Sequence, residues 1–263
     1  MNRFQNKTVL ITGAASGMGT SHARSFHREG ANVVVADIHE PEGRSLVAEL
    51  GERALFVPLD VTDQNQWTAA IRATEEAFGP VSVLVNNAGI LSPSSLIEDG
   101  DLAAWHRVIE TNLTGTYLGL QAAAPSLRAA GGGSIVNVAS TSGHVGTALI
   151  APYVASKWGV RGLTMSAAME MARDNIRVNS ISPGVVNTPL ITEPLHPGAA
   201  PVSDYFSPDA FAVKRLADPQ EISNLVLFLA SDEASFVTGS EHVIDGGMLL
   251  GPALAAGQTQ NKS

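Results

Sequence analysis

The sequence predicts an α/β fold, a single-domain, Rossmann-type doubly wound parallel sheet of about seven strands with helices on both faces. Three observations carry that prediction. Seven short apolar runs recur along the chain, and longer helical stretches alternate with them. Glycine is plentiful at 25 residues while aromatics are sparse at 5%. That balance suits a glycine-punctuated α/β protein better than a sandwich of aromatic strands.

The strands come first in the argument because each is a continuous run rather than an alternating one. "TVLIT" (8–12), "NVVVAD" (32–37), "ALFVPLD" (54–60) and "VSVLVNN" (81–87) each end in polar or small residues. "SIVNVAS" (134–140), "IRVNSISP" (176–183) and "EHVIDGG" (241–247) repeat the pattern. Runs this apolar are buried on both faces, as strands of a parallel sheet are. Helical segments lie between them at about 17–29, 41–50, 63–78, 101–130, 153–174 and 219–230. Strands joined by such crossovers form a doubly wound sheet.

Two segments depart from the alternation. Pro125 stands inside the apparent helix 101–130, which closes on three glycines, so a kink and then a stop are expected. The stretch 184–215 lacks clear periodicity and holds five of the fourteen prolines. A loop that long in a compact domain is usually a lid or binding loop, here the expected substrate loop. No second-domain boundary is visible, so 1–263 reads as one domain, with a flexible tail at about 255–263.

Bulk properties narrow the function. A net charge of −9 and no run of Lys or Arg give no support to nucleic acid or an anionic membrane surface as partner. No stretch approaches ~20 uninterrupted apolar residues, so no membrane span is expected. The N-terminus runs straight into a strand without a signal core, and there are no cysteines, hence no disulfide framework or thiolate chemistry. A cytoplasmic location is the expectation. Seven histidines are scattered without ligand spacing, and no metal is expected.

After the first strand comes "TGAASGMG", with Gly13, Gly17 and Gly19 spaced G-x-x-x-G-x-G before a helix. Glycines here let the backbone turn tightly and approach a pyrophosphate, whose charge a helix N-terminus favours. The spacing is not G-x-G-x-x-G, so a purely structural glycine turn is the alternative. Asp37 ends the second strand about 20 residues on, where a carboxylate can accept hydrogen bonds from ribose hydroxyls and repel a 2′-phosphate. Ser16 and Ile38 stand where an arginine could have clamped that phosphate, so NAD is favoured over NADP. The alternative for Asp37 is a cap on the following turn. Asp60, followed by Val61, could bond an adenine amino group, and "NNAG" (86–89) could pass close to a ribose. All of these stand at carboxyl ends of strands, the edge where open α/β sheets bind ligands.

Tyr153 and Lys157 in "APYVASKWGV" lie four positions apart, on one helix face. The pair could be an ordinary solvated face, or a proton donor with the cation that tunes it. "TGAASGMG", "NNAG", "TNLTG", "SIVNVAS", "YVASK", "RVNSISPG" and "VIDGG" decide between these. In that order and spacing, from about residue 6 to 250, the sequence resembles the short-chain dehydrogenase/reductase family. The resemblance implies a catalytic set of Asn112, Ser140, Tyr153 and Lys157. Tyr153 would exchange a proton with the substrate oxygen and Ser140 would orient that oxygen. Lys157 would favour the phenolate and bind the nicotinamide ribose, and Asn112 would hold a water linking the lysine to solvent. The resemblance also implies cofactor contacts at Gly13, Ser16, Gly17, Met18, Gly19, Asp37, Ile38, Asp60, Val61, Asn87, Ala88, Gly89, Pro183, Gly184, Val186 and Thr188, besides Tyr153 and Lys157. Singly, Ser140 could cap its turn, Ser142 could replace it, and Asn112 could serve only packing.

Substrate choice is expected in 142–152, with His144 as a possible contact, and in the loop 189–213. The latter offers Leu190, Ile191, Leu195, Tyr205, Phe206 and Phe211. Such a wall suits a hydrophobic secondary alcohol or ketone, though the same residues could simply pack the lid. Within the family the chain looks most like bacterial hydroxysteroid dehydrogenases of the 3α/20β type, and more loosely like 3-oxoacyl-carrier-protein reductases. The latter typically use NADPH with an arginine in the glycine loop, where this chain has Ser16. The family resemblance further implies a homotetramer. A regulatory protein that binds NAD without turnover is the expectation from another class.

Overall fold

The computed structural model describes residues 2–194, 198, 200–205 and 207–251. The expected tail at 255–263, together with Leu195, Phe206 and the side chain of Tyr205, lies outside the described residues. Seven strands form one parallel sheet in the order β3-β2-β1-β4-β5-β6-β7. They are β1 (Thr8–Thr12), β2 (Asn32–Asp37), β3 (Ala54–Pro58), β4 (Val83–Asn86), β5 (Gly133–Val138), β6 (Ile176–Pro183) and β7 (Glu241–Ile244). The register pairs Ile11 with Val35 on one side and with Val85 on the other. Strand order therefore reverses between β1 and β4, the switch point where such sheets open a crevice.

The helices are α1 (Gly17–Arg28), α2 (Glu40–Leu50), α3 (Gln64–Phe78), α4 (Leu102–Ile109), α5 (Gly115–Ala129), α6 (Ala151–Met171), α7 (Pro189–Thr192) and α8 (Pro219–Ala230). Period-two alternation sends neighbouring strand residues to opposite faces. Val9, Ile11, Val33, Val35, Val85 and Val136 thus join Phe26 of α1 and Ile222 of α8 in one core. Leu10, Val34, Leu84, Ile135 and Val178 join Trp67 of α3, Leu120 of α5 and Ala167 of α6 in the other. Helix starts follow from capping side chains. Asp63 accepts from the amides of Asn65 and Gln66, and Asp101 from those of Ala103 and Ala104. Asp218 forms a capping box with Glu221 ahead of α8.

Two expectations need correction. β3 stops at Pro58, so Asp60 lies two residues beyond the strand. Pro58 is still in register with Asp37, and one further bond, from the Leu59 amide to the Asp37 carbonyl at 3.0 Å, closes the ladder before Asp60. The expected helix 101–130 is two helices joined by a π-helical turn, Glu110–Thr114. Pro125 stands inside α5, which runs on to Ala129, and the expected stop follows at Gly131 and Gly132, both at positive φ. No helix among the described residues is long and apolar enough to cross a membrane.

Candidate active site

The glycine loop is built by close approach. Gly13 and Gly17 have φ of 62° and 53°, and a Cβ added to Gly19 would fall 2.1 Å from the Gly13 carbonyl oxygen. Only glycine tolerates these positions. The loop is tied to the end of β4. Thr12 Oγ1 accepts from the amides of Asn87 (3.1 Å) and Ala88 (3.0 Å), and Asn87 Nδ2 donates to the carbonyls of Thr12 (2.9 Å) and Gly13 (3.0 Å). Buried Asp37 ties the loop to the end of β2. Its carboxylate accepts from the amides of Ala15 and His39, both at 2.9 Å, with His39 Nδ1 at 3.0 Å. Asp37 therefore does cap the turn after β2. It also borders the cleft, so capping the turn and lining the cleft are compatible.

That cleft, about 720 Å³, crosses the switch point. Gly13, Ser16, Gly17, Met18, Asp37, Ile38, Asp60, Val61, Asn87, Ala88, Gly89 and Thr188 all line it. Gly19 lies beneath, packed against the Gly13 carbonyl and the Asn87 side chain. Asp60 Oδ1 accepts from the backbone and hydroxyl of Thr62. Arg107, the only arginine lining the cleft among the described residues, comes from α4 and not from the loop after β2. A glycine cradle, a carboxylate at the end of β2 and this volume fit a dinucleotide.

A second, smaller pocket adjoins the first through Met18, Asn87, Gly89, Thr188 and Leu190. Ser140, Tyr153, Lys157, Pro183, Gly184 and Val186 line it. Tyr153 and Lys157 share a face of α6, the ammonium 5.5 Å from the phenol ring centroid. Lys157 is buried and donates to the Val138 carbonyl at 2.8 Å. Burial pulls its pKa down to about 8. Burial pushes the Tyr153 phenol above its usual value, and a hydrogen bond with the Ser140 hydroxyl acts in the opposite direction. Ser140 Oγ also accepts from the Ser142 amide at 3.1 Å, so it caps its turn as well as facing the tyrosine.

Asn112 lines neither pocket; it sits one layer behind. Its side chain accepts from the Ile90 amide (2.8 Å) and donates to the Ile90 carbonyl (2.9 Å) and to Ser156 Oγ (3.2 Å). The π turn carries it there. His144 is 2.7 Å from a Glu241 carboxylate oxygen on the far side of the serine turn, rather than in the pocket lining. Phe211 is buried but lines neither pocket, whereas Leu190 and Ile191 line the smaller one. Sequence reasoning missed Leu91, which also lines it, and the Val138 carbonyl. A main-chain acceptor leaves no signature in residue type.

Open α/β sheets bind dinucleotides where this cleft opens, and fold and site together define a class, the dinucleotide-dependent oxidoreductases. The family model described as enoyl-(acyl carrier protein) reductase matches residues 13–249. The chain belongs to the short-chain dehydrogenase/reductase family and is an oxidoreductase acting on CH–OH groups with NAD(P). It is 49% identical to trans-4-hydroxycyclohexanecarboxylate dehydrogenase of Sinomonas cyclohexanicum, over 95% of each chain. It is 47% identical to the 3-alpha-(or 20-beta)-hydroxysteroid dehydrogenase of Mycobacterium bovis, over 95% of this chain and 92% of the relative. A cyclopentanol dehydrogenase of Comamonas sp. is 44% identical, over 94% and 98%.

Proposed function

We propose that this protein is an NAD-dependent dehydrogenase that interconverts an apolar alicyclic secondary alcohol and its ketone, with Tyr153 carrying the proton. The observation that supports this best is the convergence of the Tyr153 phenol, the Ser140 hydroxyl and the Lys157 ammonium on one pocket beside the cleft. The nicotinamide supplies the hydride acceptor or donor when bound. In oxidation, Ser140 orients the substrate hydroxyl and the Tyr153 phenolate takes its proton; in reduction the phenol returns it. Lys157 is largely protonated at neutral pH, and its charge favours the phenolate. We assign Asn112 to a water site beside the lysine. In support, a Cβ added to Gly89 would lie 3.3 Å from Asn112 Oδ1 and 3.5 Å from Lys157 Nζ, so both groups border one point.

NAD is preferred to NADP because the buried Asp37 carboxylate borders the cleft and repels a 2′-phosphate, with exposed Ile38 beside it offering no cation. Three curated relatives are named for a hydroxycyclohexane carboxylate, a hydroxysteroid and cyclopentanol, all cyclic alcohols. Leu91, Val138, Leu190 and Ile191 line the pocket, and Lys157 is its only charged residue among those described. That lining favours an uncharged alcohol over a carboxylate. The segment 184–215 serves as the substrate loop, presenting Leu190 and Ile191 from α7. The chain works as one domain within a homotetramer. Exposed Trp158, Met165 and Met169 on α6, and Phe228 and Val243 around α8 and β7, support burial between subunits.

The test is nicotinamide reduction with a panel of cyclopentanol, cyclohexanols and hydroxysteroids, with NAD⁺ and with NADP⁺, beside Tyr153→Phe. The expected result is NAD⁺-linked turnover that falls by about 10³-fold or more in the variant. Tight NAD⁺ binding with no turnover on any alcohol or ketone would replace this reading with a binding-only role.

A further inference from the structure

We propose that Glu241 and Arg161 are positioning residues: their ion pair clamps the turn that carries Ser140 onto the helix that carries Tyr153. The proposal rests on the reading of Ser140 and Tyr153 given above and extends it to residues outside both pockets.

Arg161 lies one helical turn beyond Lys157 and two beyond Tyr153. Its Nη1 donates to the Gly143 carbonyl and its Nε donates to Glu241 Oε2. The Arg161 guanidinium carbon lies 5.1 Å from the centroid of the Trp158 ring, within cation–π range. Glu241 Oε1 accepts from the Ser182 hydroxyl, itself fully buried in β6, and lies 2.7 Å from His144 Nε2. One carboxylate at the start of β7 thus joins β6 and α6, and reaches the turn after β5 through Arg161.

The turn transmits this to the serine. The Gly143 amide donates to the Ser140 carbonyl at 2.8 Å, and the Ser142 amide to Ser140 Oγ at 3.1 Å. A Cβ added to Gly143 would lie 3.0 Å from both Arg161 Cδ and the Lys157 carbonyl oxygen, so the turn rests directly on α6. Shifting the Gly143 carbonyl therefore shifts Ser140 relative to Tyr153. Both partners of the pair are mostly buried, at 23% and 16% side-chain exposure. Such a pair is weak as a source of stability against an apolar replacement, and what it supplies is a fixed register between the elements it joins. Arg161, His144 and Ser182 are the polar groups facing the carboxylate, while Lys157 and Ser140 are those facing the phenol.

The experiment is a double-mutant cycle of E241Q with S140A in the full-length enzyme, with R161M and R161K beside it. E241Q and R161M should each lower kcat by about 10-fold or more with KM for NAD⁺ held within about twofold, because misplacement of a reacting group costs rate rather than cofactor binding. In the S140A background E241Q should cost less than about twofold further, since the pair acts through the serine. R161K should recover part of the loss. Additive losses, a change confined to KM for NAD⁺, or a loss in only one of E241Q and R161M would overturn the proposal. Amide exchange of 142–144 gives a readout independent of turnover. It should speed up in E241Q at an unchanged melting temperature, and unchanged exchange overturns the clamp. Wild-type enzyme inactive on every alcohol would instead remove the parent reading, leaving the clamp to be judged by exchange alone.

Discussion

The seam between α1 and α8 and the wall between α6 and β5 each bury a base, and burial pulls both down: His22 to about 3, Lys157 to about 8. Their uses differ. His22 Nδ1 meets Ser223 Oγ at 2.8 Å, Ser223 reaches Ser21 and the Pro219 carbonyl, and the group lines neither pocket. It holds two helices together as a neutral ring. Lys157 is as enclosed, yet its ammonium meets a pocket and stands beside a phenol whose own pKa is displaced upward. Desolvation alone makes a group easy to neutralise. An opening and a second titratable neighbour turn that property into chemistry.

Lys157→Met breaks the comparison most severely. Turnover at neutral pH should fall by about 100-fold or more, since the phenol loses the cation that favours its charged form. Folding stability should not fall with it. Below pH 8 the buried ammonium costs about 3 kcal/mol relative to the unfolded chain, and that cost disappears as pH rises from about 8 to 10.5. Denaturant melts of the wild type should show stability contributed by this group rising through that window, and the Met variant should lack the rise.

His22→Leu tests the other base. The unfolded chain protonates this histidine near its ordinary value and the folded chain only near 3, so wild-type stability falls as pH drops through that interval, by on the order of 4 kcal/mol. The variant should lose this acid sensitivity in melts between pH 6.5 and 3, while its neutral-pH turnover stays within about twofold of wild type. A large loss of turnover would show that the α1–α8 seam reaches the chemistry after all.

The pH profile of the intact enzyme separates the two directions most gently. Burial raises the phenol above its ordinary value, so alcohol oxidation, which needs phenolate, should climb between about pH 7 and pH 9 and still be rising at the top of that range rather than levelling off. Ketone reduction, which needs the phenol, should stay level or decline over the same range. Stopped assays with saturating cofactor in each direction will show it, and a flat oxidation profile would remove Tyr153 as the titrating base.

What the sequence made legible follows the same division. All seven strands were readable because double-sided burial writes continuous apolar runs, as in "NVVVAD" and "IRVNSISP". Helix spacing placed Tyr153 and Lys157 on one face but left a solvated face open, and only the resemblance to the family singled the pair out; the distance from the glycine loop pointed to Asp37. The π turn was not, because a one-residue slip inside a helical run leaves hydrophobic periodicity nearly intact. The Val138 carbonyl was invisible because every residue has one. Arg161 and Glu241 are 80 positions apart, and only the pairing of β6 with β7 brings the carboxylate to the helix. The end of β3 was overrun because Leu59 continues the apolar run past the proline.

The π turn at Glu110–Thr114 also sets a rule for insertions and deletions. Removing one residue there would allow α4 and α5 to merge into a regular helix, a locally cheaper backbone. The same edit would turn everything on one side of it by about 100° relative to the other. Asn112 would leave Ile90, and Gly115, whose added Cβ would lie 2.7 Å from the Val61 side chain, would yield its close contact to a larger neighbour. The length of this segment is therefore dictated by the site and not by the scaffold. A library of single-residue deletions should tolerate losses at the exposed end of α5 and reject every one within the turn.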